Sequence, residues 1–221
     1  MASHSEDRPL GVNVPPVPLG VEIPPEPPEV GARALAVAAQ WLCGASAFFF
    51  LAFVFAYFYL RSINQNHMWR PAHIDPNQGL GAAFIVCVVL SALLASVAAR
   101  SMKGGSRSWV TAGLVSVVLG LAAIALQCIE YTSQNFGPTN GAFASVFCAW
   151  TAMYLIAVLA TVYWLETQVA TELRARRAPA SKHGDIKDPD RLIAPGLDAA
   201  AFYWAFLAVI GVVTYVTLYL L

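Results

Sequence analysis

One carboxylate closes an otherwise uncharged stretch, in Leu126-Gln127-Cys128-Ile129-Glu130-Tyr131. Gln127 precedes Glu130 by three residues and Gln134 follows it by four, so on a continuous helix the three share one face. A carboxylate at bilayer depth is costly, which makes it a functional hypothesis by default. Glu130 lies near the end of its apolar run, where that cost shrinks. Two roles therefore stay open: hydrogen bonding to a neighbouring helix, and proton or substrate traffic. Gln127, Glu130, Tyr131 and Ser145 form the candidate polar cluster.

Other reactive residue types are placed less favourably. His4, His67, His73 and His183 all fall outside the apolar runs, whereas a haem or copper site inside a membrane draws its ligands from the helices. The chain is therefore expected to bind no redox cofactor itself. Ligation by Cys128 or Met153 competes with plain packing, which such residues mostly serve. His67, His73 and Asp75 share one loop and could gather a metal, though three such residues in a loop are more often simply solvated. Ser181, His183 and Asp185 sit at every second position of a polar stretch with nothing around them to support catalysis. The four cysteines are scattered with no CxxC pair, so a disulfide framework is not expected.

The elements that must carry these residues are membrane helices. Of 221 residues, 58% are apolar and 12% charged, against about 25% charged in soluble domains. Mean hydropathy is +0.60, and the balanced charge with a pI near 6.9 gives no footprint for nucleic acid. Five runs free of Asp, Glu, Lys and Arg reach or exceed the ~20 residues that span a bilayer, at approximately 34–60, 79–99, 108–131, 141–165 and 199–221. They are apolar on every face and lack the alternation of a membrane barrel, so the predicted fold is all-α, a polytopic bundle of five transmembrane helices.

Eleven of the thirteen basic residues fall on the side that holds the N-terminus, the 100–107 loop and the 166–198 loop. Only Arg61 and Arg70 fall on the other, which predicts a cytoplasmic N-terminus and an external C-terminus. Small residues recur every four positions, as Ser91, Ala95, Ala99 and as Ala112, Ser116, Gly120, a spacing that lets helix backbones approach closely. Residues 1–33 hold eight prolines and several glutamates, which favour extended polyproline II. This segment is expected as a cytoplasmic arm laid along a partner subunit, and with no apolar stretch before Arg33 a cleaved secretory signal is not expected.

Four of the five spans resemble subunit III of haem–copper terminal oxidases. The resemblance rests on Leu126-Gln127-x-x-Glu130-Tyr131, on Gly141-x-x-x-Ser145-x-Phe147, on Phe202-Tyr203-Trp204-Ala205-Phe206 followed by Tyr215 and Tyr219, and on the Phe-rich run from Phe48 to Tyr59. Five spans with an internal N-terminus are similar to the short form of that family, which lacks the first two of seven helices. The chain also departs from the family. Ser46 stands where members carry a carboxylate, Tyr154 and Ala157 stand where they carry histidines, and Trp204-Ala205-Phe206-Leu207-Ala208 replaces a Trp-His-Phe-x-Asp pattern. A proton-buffering role attached to those groups therefore does not carry over.

The resemblance implies an accessory subunit without redox metal in an aerobic respiratory oxidase, in the plasma membrane of a bacterium. Haem and copper are expected in the partner, the catalytic subunit I, with structural phospholipid held between the helices. Support of proton uptake and dioxygen reduction is the implied role. Trp204, Tyr203, Trp109 and Arg61 are the candidate contacts to lipid or neighbouring subunits. Two alternatives stand beside this reading: an accessory subunit of a nitric-oxide reductase or quinol oxidase, and a small membrane transporter. The transporter would need broken helices and midplane charges, and none of the five runs offers either.

Overall fold

The computed structural model describes residues 27–64, 69–71, 74–177 and 189–221. All four histidines, the Ser181/His183/Asp185 trio and most of the Pro-rich arm lie outside these residues. Within them the chain is helical, with no strand: α1 (Pro28–Ile63), α2 (Gln78–Lys103), α3 (Trp109–Ser133), α4 (Ala142–Arg177) and α5 (Pro189–Tyr215), the last continued by a π-helical turn over Val216–Leu220. All five helices are long and apolar enough to cross a membrane.

Local chemistry sets the ends. Pro28 opens α1 in the first turn, where a missing N–H costs nothing. Residues 28–33, expected within the extended arm, are therefore helical. The Asn77 side chain caps α2 by accepting from the N–H groups of Gly79 at 3.0 Å and Leu80 at 3.1 Å. Gly105 takes φ +70° after α2, a left-handed turn that residues with a Cβ adopt poorly, and the chain reverses into α3.

At a rise of about 1.5 Å per residue, α2 and α3 are roughly 38 Å long, enough for a hydrocarbon core of about 30 Å. Their observed lengths are 26 and 25 residues, whereas α1 and α4 each run to 36. The long helices extend beyond the core at the end of the bundle holding the start of α1 and the close of α4, where Arg100, Lys103 and Arg174 also lie. This is the basic end of the bundle. Similarly α5 starts at Pro189, ahead of the apolar run that begins at 199, and Pro195 sits in that leading part.

The helices α2, α3, α4 and α5 close into a ring in chain order, and α1 packs outside it against α5 and α4. The two rows of small residues meet where α2 crosses α3. Ser91 donates to the Ser116 carbonyl at 2.7 Å and Ser116 donates to the Ser91 carbonyl at 2.8 Å. Trp204 of α5 adds its indole N–H to Ser91 Oγ at 2.9 Å, so three helices share one knot of buried hydroxyls. Between α3 and α4 the closeness comes from Gly120, where an added Cβ would lie 2.5 Å from Val162 Cγ2.

Candidate functional site

At the end opposite the basic end, Glu130 is completely buried in the last turns of α3. Gln127, three residues earlier on the same face, donates its amide to Glu130 Oε2 at 2.9 Å. The Tyr219 hydroxyl lies 2.8 Å from both carboxylate oxygens and donates to them from the π turn that ends α5. Among the described residues no Lys or Arg pairs with Glu130, so donors on neutral groups carry its stabilisation.

Tyr219 is itself held from several sides. Gln78 of α2 donates to its carbonyl at 3.2 Å. Its ring stacks on Tyr215 with centroids 5.1 Å apart and meets the Phe147 ring edge-on at 5.5 Å. Below it Gly81 leaves the room: an added Cβ would come within 2.5–2.9 Å of three ring atoms. The widened turn matters because i→i+5 bonding changes the angle at which residue 219 leaves the helix. Its closing bond runs from the Leu221 N–H to the Val216 carbonyl at 3.1 Å.

The other expected members of the cluster part company with Glu130. The Tyr131 hydroxyl donates to Thr151 Oγ1 on α4 at 2.8 Å. Ser145 donates to the carbonyls of Pro138 at 2.6 Å and Gly141 at 2.9 Å, and is an exposed fastener of the α3–α4 turn. Gln134, expected on the Gln127/Glu130 face, lies past the end of α3 in extended backbone, because the helix stops at Ser133. Tyr219 replaces it in the site. Its aromatic type and its place in the last span were legible, but no spacing rule links it to a residue 89 positions earlier.

Of the four residues expected to contact lipid or neighbouring subunits, three turn inward. Trp204 and Trp109 are buried within the chain, Trp204 completely, because its N–H finds Ser91. Tyr203 is likewise buried, its hydroxyl 3.0 Å from Ser46 Oγ of α1. Arg61 stays exposed, with its guanidinium 3.4 Å from the Tyr57 hydroxyl.

A second feature lies at the basic end. A valley of about 600 Å³ runs between α1 and α2, with Ala201 and Ala205 of α5 as its floor and Ala36 and Ser96 among its walls. Arg100 lines its mouth, and Lys103 there pairs with Asp198 at 2.7 Å. Ser96 and Ala205 also line an apolar groove of about 260 Å³ between α2 and α5, so the two spaces adjoin. Among the described residues, no three His, Cys, Asp or Glu side chains gather closely enough to hold a metal ion.

Comparison with known proteins adds a separate line of observation. The family described as cytochrome c oxidase subunit III matches residues 35–221, which takes in all five spans. Cytochrome c oxidase subunit 3 of Mus musculus is 29% identical over 182 residues, covering 79% of this chain and 65% of its own length. The protein of the same name from Tachyglossus aculeatus aculeatus is 26% identical over 181 residues with the same coverage. That from Latimeria chalumnae is 28% identical over 182 residues. The chain thus spans 65% of the length of these curated relatives.

Proposed function

The chain belongs to the cytochrome c oxidase subunit III family, and from that membership we propose that it works as a non-catalytic subunit of a haem–copper respiratory oxidase. The observation that carries this reading is the family match across every membrane span. The chain is a multi-pass membrane protein. The proposal places it in the plasma membrane with the basic end in the cytoplasm, because Lys and Arg collect on the cytoplasmic side of membrane proteins.

In this reading haem and copper belong to the catalytic subunit I, and the chain supplies an apolar wall that fixes that subunit's helices and excludes water. Its contribution to proton uptake and dioxygen reduction is indirect. The valley at the basic end suits structural phospholipid: Arg100 among its lining residues offers a cationic partner for a headgroup phosphate, and the adjoining apolar groove along α2 and α5 offers room for part of an acyl chain. Dioxygen also partitions into such apolar spaces, which favours a delivery role for the same region.

Glu130 fits the hydrogen-bonding role better than proton traffic. It is sealed from solvent, and both of its oxygens are engaged by donors that fix the C-terminal turn. Affinity purification of the full chain from its native membranes tests the main reading. A haem–copper oxidase should co-purify, and detaching the chain should leave the haem spectra intact while turnover-linked inactivation accelerates. Loss of haem on detachment, or purification without any oxidase, would overturn it.

A further inference from the structure

The match to cytochrome c oxidase subunit III begins at residue 35, so family membership assigns no role to the 26 residues that precede the α1 cap at Pro27. Their sequence repeats. Pro9-Leu10-Gly11-Val12-Asn13-Val14-Pro15-Pro16 returns nine residues later as Pro18-Leu19-Gly20-Val21-Glu22-Ile23-Pro24-Pro25. Each copy sets apolar side chains at alternate positions, Leu19, Val21 and Ile23 in the second, and closes on a proline pair. In an extended chain alternate side chains share one face. A segment too poor in apolar residues to build a core has no internal use for such a strip, and its repetition marks it as a contact surface.

The valley at the basic end lies within its reach. Eight of the fifteen residues that line it are alanines, drawn from α1, α2 and α5, and these short side chains leave its roughly 600 Å³ unfilled. Ala32 in its wall follows Pro27 by five residues, about 7.5 Å along α1. Pro27 has φ −55° and ψ 134°, so the chain enters the helix from an extended polyproline II conformation. Counting back from Pro27, five extended residues carry Glu22 about 15 Å away, against roughly 8–10 Å between packed helix axes. The second copy of the repeat can therefore cross from α1 to α2 and α5.

Charge favours this place over the surrounding membrane surface. Residues 1–26 carry Glu6, Asp7, Glu22 and Glu26 against Arg8 alone, and an anionic cytoplasmic leaflet repels such a segment. At the mouth and in the turn beside it, Arg33, Arg100, Lys103 and Arg107 outnumber Glu29 and Asp198. Of these four cations, only Lys103 has a carboxylate partner among the described residues. The rim thus has cations for the arm's two nearest glutamates and for a headgroup phosphate together.

We propose that residues 19–26 lie across the mouth of this valley, with Leu19, Val21 and Ile23 on its alanine walls and Glu22 and Glu26 against the cations of its rim. The chain's own arm then straps α1 to α2 and α5 at the basic end. The test places p-benzoylphenylalanine at position 21 of the full chain, irradiates native membranes and maps the adduct by mass spectrometry. An adduct that runs at the mass of one chain and falls on residues lining the valley is expected. Glu22→Arg/Glu26→Arg should cut its yield at least fivefold, and adding Arg100→Glu should restore at least half of it. Both glutamates precede α1, so the helical circular dichroism of the chain should stay unchanged. Adducts to another polypeptide, to a second copy or to lipid alone, no adduct, or a yield that charge reversal leaves unchanged would overturn the strap. The strap does not depend on the oxidase assignment, which co-purification of haem tests separately.

Discussion

Removing the Tyr219 hydroxyl isolates the energetics of the buried carboxylate. In Tyr219→Phe the ring keeps its place over Gly81 and against Tyr215, and only the donor 2.8 Å from both Glu130 oxygens is lost. Glu130 is then left with the single Gln127 bond at 2.9 Å. A charge-assisted hydrogen bond contributes about 1.5–3 kcal/mol in soluble proteins, while interhelical bonds in membranes average about 0.6 and reach about 1.7. Because Glu130 is sealed from solvent and no Lys or Arg pairs with it among the described residues, the upper part of the membrane range applies, so a loss of about 1.5 kcal/mol is expected. For a chain of this size that lowers the unfolding midpoint by roughly 3–6 °C.

The assay is thermal unfolding of the detergent-solubilised complex, together with hydrogen exchange of the amides in residues 216–221. Tyr219→Phe should lower the midpoint and speed exchange in the π turn. In the double-mutant cycle with Glu130→Gln the two losses should fail to add by at least about 1 kcal/mol, since both variants act on one interaction. Losses that add within about 0.3 kcal/mol, or a π turn whose exchange is unchanged, would refute the claim that Glu130 holds the C-terminal turn.

Three further outcomes follow from the packing. Gly81→Ala should reproduce the Tyr219→Phe exchange pattern, because its methyl would enter the space within 2.5 Å of the Tyr219 ring; an unaltered π turn would count against the close contact. Ser91→Ala removes a bond to the Ser116 carbonyl and leaves the buried Trp204 N–H without its acceptor, so a loss of about 1–3 kcal/mol is expected in thermal unfolding, with a shifted Trp fluorescence. Lys103→Ala should change the unfolding midpoint little, by under about 1 kcal/mol, because both members of its 2.7 Å ion pair with Asp198 are exposed.

Five membrane helices were legible because the hydrocarbon core forbids charge, and gaps in the charge pattern mark its thickness. The same reasoning explains why the helices outrun the charge-free stretches. A helix ends where its backbone bonding stops, so α1 starts at Pro28 instead of 34, α4 runs to Arg177 instead of 165, and α5 starts at Pro189 instead of 199. Charged residues end a membrane run without ending a helix. Gln134 shows the converse: a spacing of four puts it on the face of Gln127 and Glu130 only while the helix lasts, and α3 stops one residue short, leaving Gln134 as its C-cap.

The candidate site shows the same divide between local and distant information. Gln127 with Glu130 could be paired from a spacing of three, since helix geometry alone fixes it. Tyr219 could not, because three things with no mark in the local sequence bring it there: the ring of α2 to α5, the π turn, and the space over Gly81. Trp204 misled for a related reason. An indole near a helix end suits the lipid interface when its N–H needs water, but here Ser91, 113 residues away, supplies the acceptor, and the side chain turns inward. In a bundle this apolar, the few polar atoms choose the helix neighbours. The residues that most constrain the assembly are therefore the hydroxyls of Ser91, Ser116 and Tyr219 and the carboxylate of Glu130, which bond across helices, and not the more numerous aromatic side chains.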